Sequence, residues 1–255
     1  MEGQAGSIEF IPLDILPRKR AAFLMCYPEF NHTEFQRRID ELRRLEVEGI
    51  EIRGKHTLQG IQILGKGNVG LVIAARVGAR TVALKVRRID ADRSSMTAEA
   101  QNLRLANTVN VGPQLLASSE NFILMELVEG EYLHEWLTGM QAAQSEPLKR
   151  WLRNLLDDAR RLDEIGLDHG ELSNAHHHLI LTDEGPMIID FETASAYRKA
   201  SNVTSMFNYL FFTLRRETSK HIHLPSRREL IEALREYKSD PSDENYQNLL
   251  HLFGF

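Results

Sequence analysis

One cysteine in 255 residues, Cys26, leaves no partner for an intramolecular disulfide and no thiolate set for a zinc cage. Such cysteine usage suits a reducing compartment. Long apolar runs are missing too: "NFILMEL" and "NYLFFTL" fall well short of the roughly 20 residues of a membrane helix. The start of the chain lacks the basic-then-apolar pattern of a secretory leader. The expectation is a cytoplasmic protein with no membrane partner. An excess of positive charge is also absent, with Lys+Arg 31 against Asp+Glu 36 and a formal charge of −5. A phosphate-backbone partner therefore has to be met by local basic surface rather than by the average. Six Arg-Arg pairs (37/38, 43/44, 87/88, 160/161, 215/216, 227/228) and "PRKR" at 17 to 20 are the only sources of it. No internal repeat or low-complexity tract interrupts the chain.

What is present divides into three regions. Residues 1–56 form an amino-terminal extension. In it the apolar "AAFLMCYP" precedes a helix over 33–48, entered through a Thr33/Gln36 capping box and closed by Gly49. On that helix Arg37 and Arg44 lie opposite Phe35, Ile39 and Leu42 and within pairing distance of Glu41 and Glu48, which reads as a solvated mixed-charge face. Residues 57–130 turn to short β-rich segments, with one helix over 95–107. Residues 131–255 are mainly helical. Leu148, Trp151, Leu152, Leu155, Leu156, Ala159 and Leu162 recur at helical spacing after Ser145 and Pro147. Further helices are expected over 203–216, 227–237 (with a Ser226/Glu229 capping box) and 243–252.

The β-rich region carries "LGKGNVGLV". Gly65, Gly67 and Gly70 fit G-x-G-x-x-G between two strands, a spacing that lets backbone N–H groups approach phosphate oxygens. A dinucleotide-binding fingerprint would need a helix next, and a strand follows instead. Lys85, at the end of "VALK", is a cation in an apolar strand and needs a negative partner to be buried. Glu99, on the following helix, is that candidate. Downstream, "DHGELSNAHHHLIL" at 168–181 packs two carboxylates, a glycine and four histidines into fourteen positions, and "IIDF" delivers Asp190 from an apolar run. His176, His177 and His178 are consecutive, so at most two can reach one ion, and zinc is set aside.

In this order these motifs resemble the protein-kinase fold, in the trimmed form of the RIO family and small archaeal kinases related to it. The resemblance runs from about residue 60 to 215 on "GKGNVGLV", "VALK", Glu99, "MELVEGEYL", "HGELSNAH" and "IIDF". It implies an α+β, bilobal protein-kinase-like fold, with a small β-rich N-lobe over 57–130, a helical C-lobe over 131–255 and a helical amino-terminal extension. ATP and Mg²⁺ come with it as cofactors. Gly65, Lys66, Gly67 and Gly70 would cradle the phosphates, and Lys85 would be held against them by Glu99. Leu64, Val72 and Ala83 would cover the base, Met125 would be the gatekeeper, and the main chain from Glu126 to Val128 would bind adenine.

By the same resemblance Glu171 stands where kinases carry the catalytic aspartate, keeping a carboxylate that can orient a hydroxyl. His176, or His177 after a one-residue slip, stands at the position of the metal-binding asparagine, although imidazole is a poor magnesium ligand. Asp190 is the expected metal ligand. Glu192 replaces the glycine usual after Asp-Phe, His169 reads as scaffold, and Asp168 is a reserve base.

No A-P-E follows Asp190, and about a dozen residues lead to the next helix, so the peptide platform of ordinary protein kinases is missing. The amino-terminal "CYPEFNHTEFQRRIDELRRL" followed by "LGKGNVGLV" resembles a subgroup of small archaeal RIO-like kinases, which includes a kinase of the ribose 2′-hydroxyl of tRNA. That implies tRNA as partner and tRNA modification as the role. A serine/threonine protein kinase acting on a protein substrate and a nucleotide-binding pseudokinase remain the alternatives.

Overall fold

The computed structural model describes residues 8–140 and 145–255. They fall into two compact units. One takes in the chain up to Arg104 together with Pro113–Val128, and the other Leu105–Gly112 with Glu129–Phe255. The fold is α+β, with the sheet in the first unit and most of the helix in the second.

In the first unit the strands are β1 (Glu9–Pro12), β2 (Gly49–Ile52), β3 (His56–Leu58), β4 (Ile61–Ile63), β5 (Gly65–Lys66), β6 (Gly70–Val77), β7 (Arg80–Arg87), β8 (Leu115–Ser118) and β9 (Phe122–Glu126). All but the β3–β4 hairpin join one sheet in the order β1-β2-β6-β7-β9-β8, with β5 pairing β6. The extension thus supplies two strands to this sheet besides its helix, which the reading of a helical segment did not anticipate.

Its helix, α1, runs His32–Arg44 rather than 33–48. The cap is Asn31, whose side chain accepts from the Glu34 N–H at 2.9 Å, not Thr33. Gly49 opens β2 instead of closing the helix. The apolar stretch before it is a 3₁₀ helix, Arg20–Cys26, with Ala21, Ala22, Leu24, Met25 and Cys26 buried. These residues and Phe35, Ile39 and Leu42 of α1 share one core with Leu71, Ile73, Val82, Leu84, Val86, Phe122 and Leu124 of the sheet.

The expected mixed-charge face of α1 holds at Arg37 and Arg44, both exposed, and fails at Glu41, while Arg38 beside it is buried. Arg37 is exposed and pairs with Glu34 and Glu120. Arg38 is fully buried, donating to the carbonyls of Met25 and Arg87 at 2.6 Å each and to Asn121 Oδ1 at 3.1 Å. Glu41 turns inward and accepts from the Asn121 backbone N–H at 2.9 Å and its side-chain amide at 2.8 Å. Buried charge survives there because each side-chain nitrogen of Arg38 and each oxygen of Glu41 meets at least one specific partner, Glu34 among them.

The helix α2 (Thr97–Asn107) follows the sheet's central strands. In the second unit come β10 (Glu131–Tyr132), α3 (Leu133–Gly139), α4 (Ser145–Glu164), β11 (Leu179–Thr182), β12 (Gly185–Ile188), α5 (Asn202–Asn208), α6 (Arg215–Thr218), α7 (Arg227–Ser239) and α8 (Asp243–His251). Leu148, Leu152, Leu155, Leu156, Ala159 and Leu162 of α4 are all fully buried, while Trp151 is half-buried against Trp136. The helix expected over 203–216 is broken by a π-turn at Tyr209–Thr213 between α5 and α6. The Ser226/Glu229 capping box is present at the start of α7. No described helix is long and apolar enough to cross a membrane.

Candidate active site

Strand alternation sorts the first unit's residues onto two faces. Leu71, Ile73, Val82, Leu84 and Val86 point into the core shared with the extension. Val72, Ala83 and Lys85 therefore point to the other face. Cross-strand register brings them together: Val72 lies opposite Lys85, Ala74 opposite Ala83, and Ala83 in turn opposite Met125. One face thus carries Val72, Ala83, Met125 and the lysine side by side. Glu126 spends its own N–H on the Gln114 carbonyl at 2.9 Å. That N–H is therefore engaged within the protein, and Val128 lies just past the strand's end.

Lys85 Nζ donates to Glu99 Oε1 at 2.6 Å, with side-chain exposures of 4% and 7%. Burial at this depth is tolerable only for a paired charge. Gly70 explains part of the approach: a Cβ there would come within 3.2 Å of Lys85 Cγ and 3.3 Å of its Cε, so the glycine clears the path of the lysine stem. Beside it the hairpin closes with the Gly67 N–H donating to the Gly70 carbonyl at 2.8 Å, leaving Lys66 and Gly67 exposed at the tip and Gly65 paired with Val72.

In the second unit the acidic loop and the aspartate strand are bound together locally. The β11–β12 hairpin aligns Leu179 with Ile188, and the Ile189 N–H extends the pairing to the His178 carbonyl at 2.9 Å. Asp190 follows with φ of +66°, a left-handed backbone uncommon outside glycine that aspartate and asparagine adopt more readily than other residues. Phe191 is buried against the His169 ring, 5.0 Å between centroids.

The Glu171 carboxylate has two polar neighbours. The Thr193 hydroxyl, which shares its one proton with the His169 carbonyl at 2.9 Å, lies 3.2 Å from Oε2, and His178 Nε2 lies 3.6 Å from it. Thr193 had no signal in the sequence beyond following the metal segment. Gly170, with φ of +90°, is obligatory, because a Cβ would stand 2.6 Å from Arg198 Nη2 and 2.9 Å from Thr193 Oγ1. His169 is fully buried, with its N–H donating to Asn202 Oδ1 at 2.8 Å and Nε2 3.1 Å from the Ile189 carbonyl. Burial, with His178 beside it, pushes its pKa down to about 4. Asp168 accepts from Arg198 Nε at 2.9 Å and bridges to Ser195. That makes the reserve base a bracing residue.

His176 turns its Nδ1 to the Tyr209 hydroxyl at 3.2 Å, with its ring edge-on to His134 at 4.9 Å. Burial, with His134 and His177 adding to it, lowers its pKa. His177 is exposed and lies edge-on to Tyr132 at 5.1 Å. Among the described residues no group of three or more His, Cys, Asp or Glu side chains is placed to hold an ion. A hard divalent ion arriving with a nucleotide needs only one or two carboxylates beside the phosphate oxygens. Asp190, just past β12, is a carboxylate that could serve as one of them.

A glycine hairpin beside a buried lysine–glutamate pair in one unit, with an acidic loop leading to a strand-delivered aspartate in the other, defines a class. It is a two-lobed, protein-kinase-like, ATP-dependent phosphotransferase. The chain belongs to the RIO family, whose RIO domain matches residues 78–207. It is similar to YrzF of Bacillus subtilis, by name a candidate serine/threonine-protein kinase, with 27% identity over 161 residues, 62% of this chain and 72% of that protein. It is also similar to MJ1211 of Methanocaldococcus jannaschii, an uncharacterized protein, with 29% identity over 87 residues, 34% of this chain and 72% of that protein. Family membership brings with it the use of ATP and a divalent metal ion.

Proposed function

We propose that the chain transfers the γ-phosphoryl group of ATP to a ribose 2′-hydroxyl of tRNA, in the cytoplasm. Lys85, held by Glu99, and the hairpin with Gly65, Lys66, Gly67 and Gly70 receive the phosphates. Asp190 holds Mg²⁺, with His176 at the position where kinases place a second metal ligand. The ion, when bound, neutralises charge across the phosphates. Glu171 orients the attacking hydroxyl and takes its proton. Val72, Ala83 and Met125 cover the base, and Glu126 and Val128 present main-chain groups to it. Regions 1–56, 57–130 and 131–255 act as extension, N-lobe and C-lobe.

The observation that carries the acceptor is the fate of the segment between Asp190 and α5. Protein kinases use that stretch as a long peptide platform. Here it is short and folded onto its own loop: Arg198 donates to the Thr193 carbonyl at 2.7 Å and to Asp168, and the Ser201 N–H reaches Asp168 Oδ1 at 3.3 Å. A peptide has no strand or ledge to lie along there. Next to the same loop the rings of Tyr132, His134 and His177 cluster within 5.1 to 6.0 Å of one another. Unpaired bases of a folded RNA stack on such surfaces. Arg18, Lys19 and Arg20 of "PRKR" are exposed and supply basic docking surface.

The name of YrzF favours a second reading, in which the acceptor is a serine or threonine of a protein. Incubation with γ-labelled ATP and either tRNA or total protein separates the two. Label in tRNA that resists removal of the 5′ phosphate and disappears in Lys85→Met supports the RNA reading. Label confined to protein replaces it with the protein-kinase reading, and ATP binding without transfer to either replaces both with a pseudokinase.

A further inference from the structure

Among the residues outside the proposed machinery, Tyr27 stands out because it meets the tip of the glycine hairpin directly at Lys66 and indirectly through Arg88. Lys66 Nζ donates to the Tyr27 hydroxyl at 2.8 Å and sits 4.9 Å from its ring centroid. The Arg88 guanidinium lies 5.2 Å from the same ring and donates to the Gly67 carbonyl at 3.2 Å. The Arg88 backbone N–H donates to the Val69 carbonyl at 2.8 Å, and the Ile89 N–H to the Tyr27 carbonyl at 3.0 Å. Residues 66, 67 and 69 of one hairpin are thus each gripped by a neighbour outside it.

The grip is anchored. Tyr27 ends the 3₁₀ helix Arg20–Cys26, whose apolar residues are in the core, and its ring packs on Phe23 at 6.3 Å. Arg88 is fixed in its turn by Asp90 through two bonds of 2.9 and 2.7 Å. An exposed glycine hairpin left to itself samples many shapes, and ordering it costs affinity each time a ligand binds. A hairpin already held at three points loses less.

We propose that Tyr27 is a positioning residue for phosphoryl transfer: through Lys66 and Arg88 it holds the glycine hairpin in the shape that receives the ATP phosphates. This gives the extension a part in nucleotide binding beyond completing the sheet, and it rests on reading the hairpin as the phosphate loop. Lys66 then acts first as a tether, its ammonium shared between the tyrosine and the phosphates.

The test compares wild type, Tyr27→Phe, Lys66→Met and the double variant for KM(ATP), kcat and Tm, with Lys85→Met as control. Tyr27→Phe keeps the ring and loses only the hydroxyl. KM(ATP) is expected to rise roughly 3- to 10-fold with kcat within about twofold and Tm unchanged, and the same substitution made in Lys66→Met is expected to add nothing. An unmoved KM(ATP) in Tyr27→Phe, or an effect that persists in full without Lys66, overturns the proposal. If Lys85→Met abolishes transfer while Tyr27→Phe behaves as wild type, the tether alone falls. If wild type neither binds nor turns over ATP, the reading of the hairpin falls and the tether with it.

Discussion

Lys85→Met changes little volume and removes one charge from a site where both partners are almost fully buried. The Lys85–Glu99 contact is 2.6 Å long, with exposures of 4% and 7%. Deleting one member of such a pair strands the other charge and costs about 3–5 kcal/mol, whereas replacing both with apolar side chains is close to neutral. In a domain of this size that cost lowers Tm by roughly 6–20 °C. Lys85→Met/Glu99→Leu should recover most of the loss. Transfer behaves differently, because the ammonium is also asked to neutralise phosphate charge. Both variants should fall at least about 10²-fold in single-turnover transfer from labelled ATP, the double one despite its recovered stability. Calorimetric melting and single-turnover transfer on the same preparations separate the two roles. A double variant that melts like wild type and transfers like wild type would show that the pair is structural only, and Lys85→Met melting like wild type would refute the burial argument itself.

Three further outcomes follow from the geometry. Gly170→Ala forces a Cβ to 2.6 Å from Arg198 Nη2 at a φ of +90°, so the acidic loop must shift, and transfer should drop roughly tenfold or more with circular dichroism unchanged. Arg38→Met takes the side-chain donor from the Met25 and Arg87 carbonyls, while Asn121 Oδ1 keeps its bonds from Arg87, and urea denaturation should show a loss of about 3 kcal/mol. Asp158 on α4 has its carboxyl pushed up to about 6 from 3.8, burial outweighing the Arg161 guanidinium beside it. The folded chain therefore holds that proton more tightly than the unfolded chain. Its contribution is full below about pH 4 and declines by about 3 kcal/mol as pH rises through 6. The stability of wild type relative to Asp158→Asn should fall by that amount between about pH 4 and pH 7.5, and a difference that is flat with pH refutes the assignment.

Much of the fold was legible because it is written locally. The apolar spacing of α4 and the Ser226/Glu229 box need only neighbours within a turn or two. The pairing of Lys85 with Glu99, fourteen residues apart, follows from the cost of an unpaired cation in an apolar strand. What escaped depends on partners far along the chain. Arg38 reads as half of a surface Arg-Arg pair with Glu34 four residues before it, and nothing nearby announces that its other acceptors sit 13, 49 and 83 residues away. The strands β1 and β2 are four residues each, too short to show a period, and they become strands by pairing with each other and with β6. Thr193, Asn202 and Tyr27 act through single hydroxyl or amide groups, which leave no pattern in a sequence. Thr33 lost the capping position to Asn31 because the helix starts two residues earlier, where an asparagine was already available.

The substitution of glutamate for the usual aspartate at 171 poses the sharpest chemical question. An extra methylene adds a rotatable bond, and a base that wanders loses the alignment on which proton transfer depends. The loop offers partial restraint: Oε2 has the Thr193 hydroxyl at 3.2 Å, a proton shared with the His169 carbonyl at 2.9 Å, and His178 Nε2 lies 3.6 Å away. Glu171→Gln preserves size and most contacts but removes the basic oxygen, so kcat should fall roughly 10²-fold or more with KM(ATP) little changed. Glu171→Asp retains the base but draws it away from Thr193 and His178, and should lose an intermediate amount. Thr193→Val frees the carboxylate without touching its charge but also takes the donor from the His169 carbonyl, and should lower kcat several-fold with KM(ATP) little changed and a stability loss of about 1 kcal/mol. Full activity in Glu171→Gln would remove the base role from this carboxylate. Since Asp168 is locked to Arg198, it would also mean that the acceptor hydroxyl reacts without a protein base, its proton leaving on a phosphate oxygen.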